Sequence, residues 1–371
     1  MDANKPVPTG GRVASLDALR GFDMFWIIGG DAFFRTLAEV THWGWARAWA
    51  IQLEHVEWAG FHFYDLIFPL FMFVSGVAIP FSLLAKAETA ADKRPIYLKL
   101  VRRALLLVFL GFIYNHLTDL QFATQRYASV LGQIGLAYLF AALIMLNIRT
   151  LRGRLAAVAG ILAGYAAVQF LVPVPGIGAG VLTPEGTVNG WVDRLLLPGR
   201  LYDKVFDPEG ILCILSATSV TLMGGLAGLV LKSDRHPAYR KAVILAASGM
   251  GLTVLGYALS GWYPIIKKAW TATFDIYAAG LSFILLALFY LVIDVWRLRK
   301  WAFFFRVIGL NSITIYLGAR MIDFDYTSKF WFGGLARLAG ASGVLVLLAG
   351  TIVVEWLALY FLYKKNVFLR V

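Results

Sequence analysis

The sequence predicts an all-α integral membrane protein: a polytopic bundle of about ten transmembrane helices with both termini in the cytoplasm. Three observations predict it. Of 371 residues, 60% are hydrophobic and only 15% charged, where a soluble domain carries about 25% charged residues. The apolar residues gather in runs long enough to cross a hydrocarbon core of roughly 30 Å. The basic residues fall in short runs between them, so the net charge of +12 reads as membrane topology and not as a nucleic-acid surface.

The elements follow in order. Residues 1–14 form a polar, flexible tail, and the first apolar stretch contains Asp23, Asp31 and Arg35, which argues against a cleavable signal. Spans are expected near 21–38, 61–84, 104–117, 128–147, 155–172, 210–231, 242–260, 273–294, 307–321 and 342–362. Two connections are long: 39–60, rich in tryptophan, and 173–209, rich in Pro and Gly. Loops of this length are functional or disordered, and aromatic content speaks against disorder. Glycine pairs at Gly160/Gly164 and Gly224/Gly228 have the spacing of close helix packing. The single Cys213 excludes an internal disulfide and a multi-cysteine metal site.

Alternate connections hold 23 of the 34 Lys and Arg residues, among them Lys5, Arg12, Arg20, Lys364, Lys365 and Arg370. The positive-inside rule puts these in the cytoplasm, and both loops 39–60 and 173–209 on the opposite side. His55 then sits at the non-cytoplasmic mouth of the second span.

That mouth is the densest chemistry in the chain. HVEWAGFHFYD, from His55 to Asp65, sets ionisable and aromatic groups directly against the uncharged run Leu66–Leu84. Polar groups so close to a span are costly unless they serve a site. His55 has the unperturbed pKa of a proton carrier. Asp31, roughly 16 Å beyond Arg20 along a helix, and Asp65, ten residues after His55, compete as the carboxylate that orients it. His62 reads as a helix-end residue. Asp17 and Arg20 have i,i+3 spacing for a local pair. The basic patch Lys93, Arg94, Lys99, Arg102 and Arg103 suits anionic lipid or a polyphosphate. Walker, Rossmann, HExxH and GxSxG sequences are absent, so nucleotide hydrolysis and zinc-peptidase chemistry gain no support.

The strings SLDALRG, HVEWAG and YDLIFP resemble the heparan-α-glucosaminide N-acetyltransferase family, which shares a His-x-x-Trp-x-Gly motif followed by Asp-Leu-x-Phe-Pro. RYASVLGQIGLAY, FDPEGIL, IIKKAWTATF and IGLNSITIYLG resemble further blocks in the same order, so the likeness runs from about Ser15 to Gly318. The resemblance implies one transmembrane acyltransferase-like domain over residues 1–371. It implies transfer of acetyl from cytosolic acetyl-CoA, as co-substrate and without a metal, to the amino group of a glucosamine-type sugar or glycan terminus across the membrane. The family's active histidine maps onto His55 and its motif aspartate onto Asp65; Asp17 and Arg20 match the opening motif. The better-known members have asparagine at Asp31, and an ionised carboxylate cannot donate to an oxyanion. Asp31 is therefore expected to orient or charge His55.

On that reading His55 acts as general base or as transient acetyl acceptor, and Asn311 is a candidate oxyanion donor. Asp17, Arg20, Lys99, Arg102 and Arg103 are candidates for the acetyl-CoA mouth. Glu57, Trp58, Trp45, Trp191, Asp207 and Glu209 are candidates for acceptor binding. A bacterial inner-membrane protein is expected, in contact with lipid, without a nucleic-acid partner, and either self-sufficient or a homodimer. The competing function is an amino-sugar transporter built on the same polar groups.

Overall fold

The computed structural model describes residues 13–368. The 1–14 tail, apart from its last two residues, and Lys5, Arg12 and Arg370 lie outside the described residues. In chain order the helices are α1 (Ala14–Phe25), α2 (Asp31–Thr41), α3 (Gly44–Gln52), α4 (Ile67–Val77), α5 (Ala85–Thr89), α6 (Arg94–Tyr114), α7 (Val130–Asn147) and α8 (Leu151–Leu171). There follow α9 (Val188–Leu196), α10 (Ile211–Lys232), α11 (Ala238–Leu259), α12 (Ala272–Phe289), α13 (Ala302–Leu310), α14 (Ser312–Met321), α15 (Phe324–Leu338) and α16 (Gly343–Lys364). The described residues form helices and loops, with only two isolated β-bridges.

Seven helical stretches among the described residues are long and apolar enough to cross a membrane. They are Phe63–Thr89, Val130–Asn147, Leu151–Leu171, Ile211–Lys232, Ala238–Leu259, Ala272–Val295 and Gly340–Lys364. An eighth is added if α13 and α14, bent by 73° at Asn311, count as one broken span. The expected spans at 21–38 and 104–117 are helical as well. Their charges set them apart from the seven: Asp17, Arg20, Asp23, Asp31 and Arg35 in the first, Lys99, Arg102 and Arg103 at the start of the second. The first helix begins at Ala14, seven residues before the sequence placed it. A π-turn at Trp26–Gly30, with Gly29 at φ +132°, then kinks the path into α2. An L side chain is strained at that φ.

Both long loops carry helices that the sequence reading missed. In 39–60, α3 places Ala46, Trp49 and Leu53 at i, i+3 and i+7, a helical apolar stripe. Ala46 and Leu53 are buried. In 173–209, Thr187 caps α9 by accepting from the Gly190 amide.

The chain divides into two compact units: residues up to 56 with 62–67 and 285 onward, and residues 57–61 with 68–284. In the first, α1 packs on α13 at backbone distance. A Cβ on Gly21 would lie 1.7 Å from the Phe305 carbonyl oxygen, and one on Gly309 would lie 1.9 Å from that of Asp17. In the second, α4 and α10 meet the same way at Gly76 and Gly224. Three spans bury little of their length (22% for α8, 22% for α11 and 17% for Gly340–Lys364), so their apolar sides are left for lipid.

Candidate functional site

The first unit places His55 three residues past the end of α3 and Asp65 in the 3₁₀ turn Phe63–Leu66 that opens the next span. His55 Nδ1 lies 2.7 Å from Asp65 Oδ1. The carboxylate is 1% exposed while the imidazole is 47% exposed, so the acid is a fixed base plate and the ring faces outward. The backbone holds Asp65 in place. Its Oδ2 accepts from the amides of His62 at 3.0 Å and Val56 at 3.4 Å. The Asp65 amide returns a bond to the His62 carbonyl, closing the turn.

His62 Nδ1 lies 3.0 Å from the Glu54 carbonyl, the helix-end role its position suggested. Gln52 Oε1 accepts from the Phe63 amide, tying the end of α3 to the 3₁₀ turn. Beneath this turn Trp26, Leu53 and Ile67 form a buried apolar cluster with Phe22, Phe34, Trp49 and Phe63 packed against it. The cluster forms an apolar floor under the turn.

Of the two carboxylates that competed for His55, Asp65 meets it. Asp31 pairs with Arg35 at 2.9 Å, one helical turn along α2, and its charge bears on the nearby Tyr64 hydroxyl. The Tyr64 ring stands 4.9 Å from the imidazole of His55. Asp31 is thus one residue removed from His55. Asp17 and Arg20 approach to 3.9 Å on α1. Asn311 sits at the break between α13 and α14, where its Nδ2 donates to the Val367 carbonyl at 3.0 Å. Trp45 is exposed and rests against Trp43.

The remaining candidates belong to the second unit. Trp58 donates from Nε1 to the Leu182 carbonyl at 2.7 Å and packs on Phe206. Glu57 is exposed, Trp191 half-buried. Lys99 and Arg102 are exposed on α6, and the Arg103 guanidinium lies 4.1 Å above the Tyr138 ring.

Asp207 and Glu209 are both held by Arg126. Its Nε donates to Asp207 Oδ2 at 2.8 Å, its second nitrogen to Asp207 Oδ1 at 2.5 Å and to Glu209. Asp193 of α9 accepts from the Asp207 and Ile211 amides. A Cβ at Gly210 would fall 2.2 Å from Asp193 Oδ2, so the Asp-Pro-Glu-Gly turn needs its glycine for this approach. Burial pushes Asp193 up to about 7 and raises Glu209 in the same direction, against the pull of Arg126.

Sequence reasoning missed Arg126, Asp193 and the buried Asp275, whose Oδ2 accepts from Ser216 and Ser219. The signal for each was a charge inside or beside an apolar run. Among the described residues, no group of three or more His, Cys, Asp and Glu is arranged to hold a metal ion.

Comparison with known proteins supports the motif resemblance. Residues 12–193 match a family described as a domain of unknown function, DUF5009. The heparan-alpha-glucosaminide N-acetyltransferase of Mus musculus is 27% identical over 400 aligned residues, covering 91% of this chain and 60% of the mouse protein. The human protein of the same name is 24% identical over 425 residues, covering 97% of this chain and 60% of its own. The chain therefore spans about 60% of the length of these relatives.

Proposed function

From this kinship with heparan-alpha-glucosaminide N-acetyltransferases, we propose that the protein is a transmembrane N-acetyltransferase. It moves acetyl from cytosolic acetyl-CoA to the amino group of a glucosamine-type sugar on the far side of a bacterial inner membrane. The observation that carries the reading is the His55–Asp65 pair: a buried, backbone-anchored carboxylate 2.7 Å from an outward-facing imidazole. Asp65 accepts a hydrogen bond from His55 Nδ1–H, which fixes the tautomer and makes Nε2 the basic nitrogen. As the acceptor nitrogen attacks the thioester carbonyl, Nε2 removes its proton, the C–S bond breaks, and the CoA thiolate leaves to be protonated. No proton needs to reach Asp65 in this scheme.

The polyphosphate end of acetyl-CoA would meet the exposed Lys99 and Arg102 of α6, an ammonium and a guanidinium fork suited to phosphate. Asn311, whose Nδ2 donates to the Val367 carbonyl at the α13–α14 break, is given no part in the proposed step. Ten spans, with both termini cytoplasmic, set His55 on the acceptor side.

The test uses protein in proteoliposomes, labelled acetyl-CoA on the cytoplasmic face and glucosamine opposite. Wild type should form N-acetylglucosamine and His55→Ala should not, while still binding acetyl-CoA. Full activity in His55→Ala would remove the assignment; glucosamine uptake without acetylation would favour the transporter.

A further inference from the structure

The first unit holds a second polar feature that the proposed transfer does not use. A cavity of about 550 Å³ is walled by the π-turn at Ile27–Gly29, the start of α2, the Ala319–Asp325 turn and one face of α16. Its volume falls within the ~300–1,000 Å³ of small-molecule sites. Four carboxylates line it: Asp31, Asp323, Asp325 and Glu355.

Three of them have partners that account for them. Asp31 holds Arg35, Asp323 caps α15 through the Tyr326 amide, and Asp325 Oδ1 accepts from the Thr351 hydroxyl. Glu355 is different. It is 3% exposed, on the inner wall, and its Oε2 has no hydrogen-bond partner. A buried carboxylate oxygen without a donor costs about 1–3 kcal/mol or more, so this position is built for a donor that arrives from outside the chain. Arg320 also lines the cavity, so its lining carries four acids and one base.

The donor chemistry can be narrowed. The acids are not grouped as metal ligands, whereas an ammonium offers three N–H groups and one positive charge, which matches several spaced acceptors. The cavity is linked to the surroundings of the candidate catalytic pair through Asp31, which lines it and whose charge bears on the Tyr64 hydroxyl; the Tyr64 ring lies 4.9 Å from His55.

We propose that this acidic cavity binds the acceptor hexosamine in its ammonium form, with Glu355 and Asp325 as the residues that select the charged amine; the ammonium gives one proton to water before the neutral amine attacks, and the second goes to His55 during attack. The identity of the ligand as acceptor rests on the acetyltransferase reading; the cation site itself does not.

The experiment measures equilibrium binding of labelled glucosamine to the full chain in detergent without acetyl-CoA, and acetylation kinetics alongside. N-acetylglucosamine, which lacks the charge, is the control ligand. Wild type is expected to prefer glucosamine, and Glu355→Gln to weaken it roughly tenfold or more, the loss of one charged hydrogen-bond partner. The KM for acetyl-CoA should stay fixed. Asp325→Asn keeps an oxygen for Thr351 and carries the same test if Glu355→Gln does not fold.

Equal affinity for the charged and uncharged sugars, no glucosamine binding, or unchanged affinity in both variants overturns the site, even if wild type acetylates. Charge-selective binding that both substitutions weaken, in a wild type that transfers no acetyl, upholds the cation site and defeats the enzyme reading instead.

Discussion

Asp65 shows most directly what one residue does here. Its Oδ1 meets His55 Nδ1 while its Oδ2 accepts from two backbone amides. Replacing it with Asn keeps the volume but offers an amide N–H where the imidazole Nδ1–H needs an acceptor. Asp65→Asn is expected to lower kcat by roughly 10²- to 10⁴-fold with acetyl-CoA binding retained; an unchanged kcat in the liposome assay would dissolve the pair. His55 and Asp65 were legible because they stand at the edge of an uncharged span. Which acid served His55 was not, since Asp31 and Asp65 both fit the sequence and only the 3₁₀ turn brings one of them to 2.7 Å.

Asp193 supplies a pH effect at the same scale. Its folded pKa of about 7 lies above the ordinary carboxylate range because of burial, so between about pH 4 and 7 the folded state holds a proton that the unfolded chain has released. Its contribution to stability is full below the unfolded pKa and is lost as pH rises towards 7. The thermal midpoint in detergent should therefore fall across that window and level off above it. Asp193→Asn should flatten the fall while lowering the midpoint at acid pH, because both carboxylate oxygens accept amides and the amide side chain can serve only one. A slope unchanged by the substitution would assign it to other groups.

Among the elements, the small residues separate into two kinds that the sequence treated alike. Gly224 and Gly228 meet backbone: their Cβ atoms would come within 2.0 Å of the Phe73 carbonyl and 2.4 Å of that of Val77. Gly160 and Gly164 share the spacing but meet nothing within 4 Å; they line an apolar groove of about 380 Å³ with Phe140 and Leu215. Gly224→Ala is expected to cost about 1–3 kcal/mol or more through overpacking, and Gly160→Ala to be neutral or to stabilise by about 0.4–1 kcal/mol. Thermal unfolding of the two variants side by side checks this; equal losses would mean that Gly160 has a partner. Motif glycines Gly21, Gly210 and Gly309 are close-approach positions too, so part of the family likeness records helix packing and turn geometry and not chemistry.

For the whole chain, topology decides which compartment His55 faces. Of the 34 basic residues, 23 sit on alternate connections, and moving such loops across the bilayer is costly. A fluorescent reporter fused after Val371 should therefore light up in the cytoplasm of a bacterial host, and an alkaline phosphatase fused there should stay inactive. The reverse result would turn His55 towards the cytoplasm and remove the vectorial step.

Membrane class, helical content, the place of most spans and the one histidine worth testing are legible in the amino-acid sequence alone. These depend on hydrophobicity summed over about twenty residues and on charge placed against it, both of which are local along the chain. Three-dimensional packing alone reveals that α3 and α9 lie inside supposed loops, that Arg126 holds Asp207 and Glu209, and that Asp31, Asp325 and Glu355 line one cavity. Those outcomes depend on residues tens to hundreds of positions apart being brought within a few ångströms. Spacing along one chain carries no record of that when the helices between are uniformly apolar and pack through backbone contact at glycine.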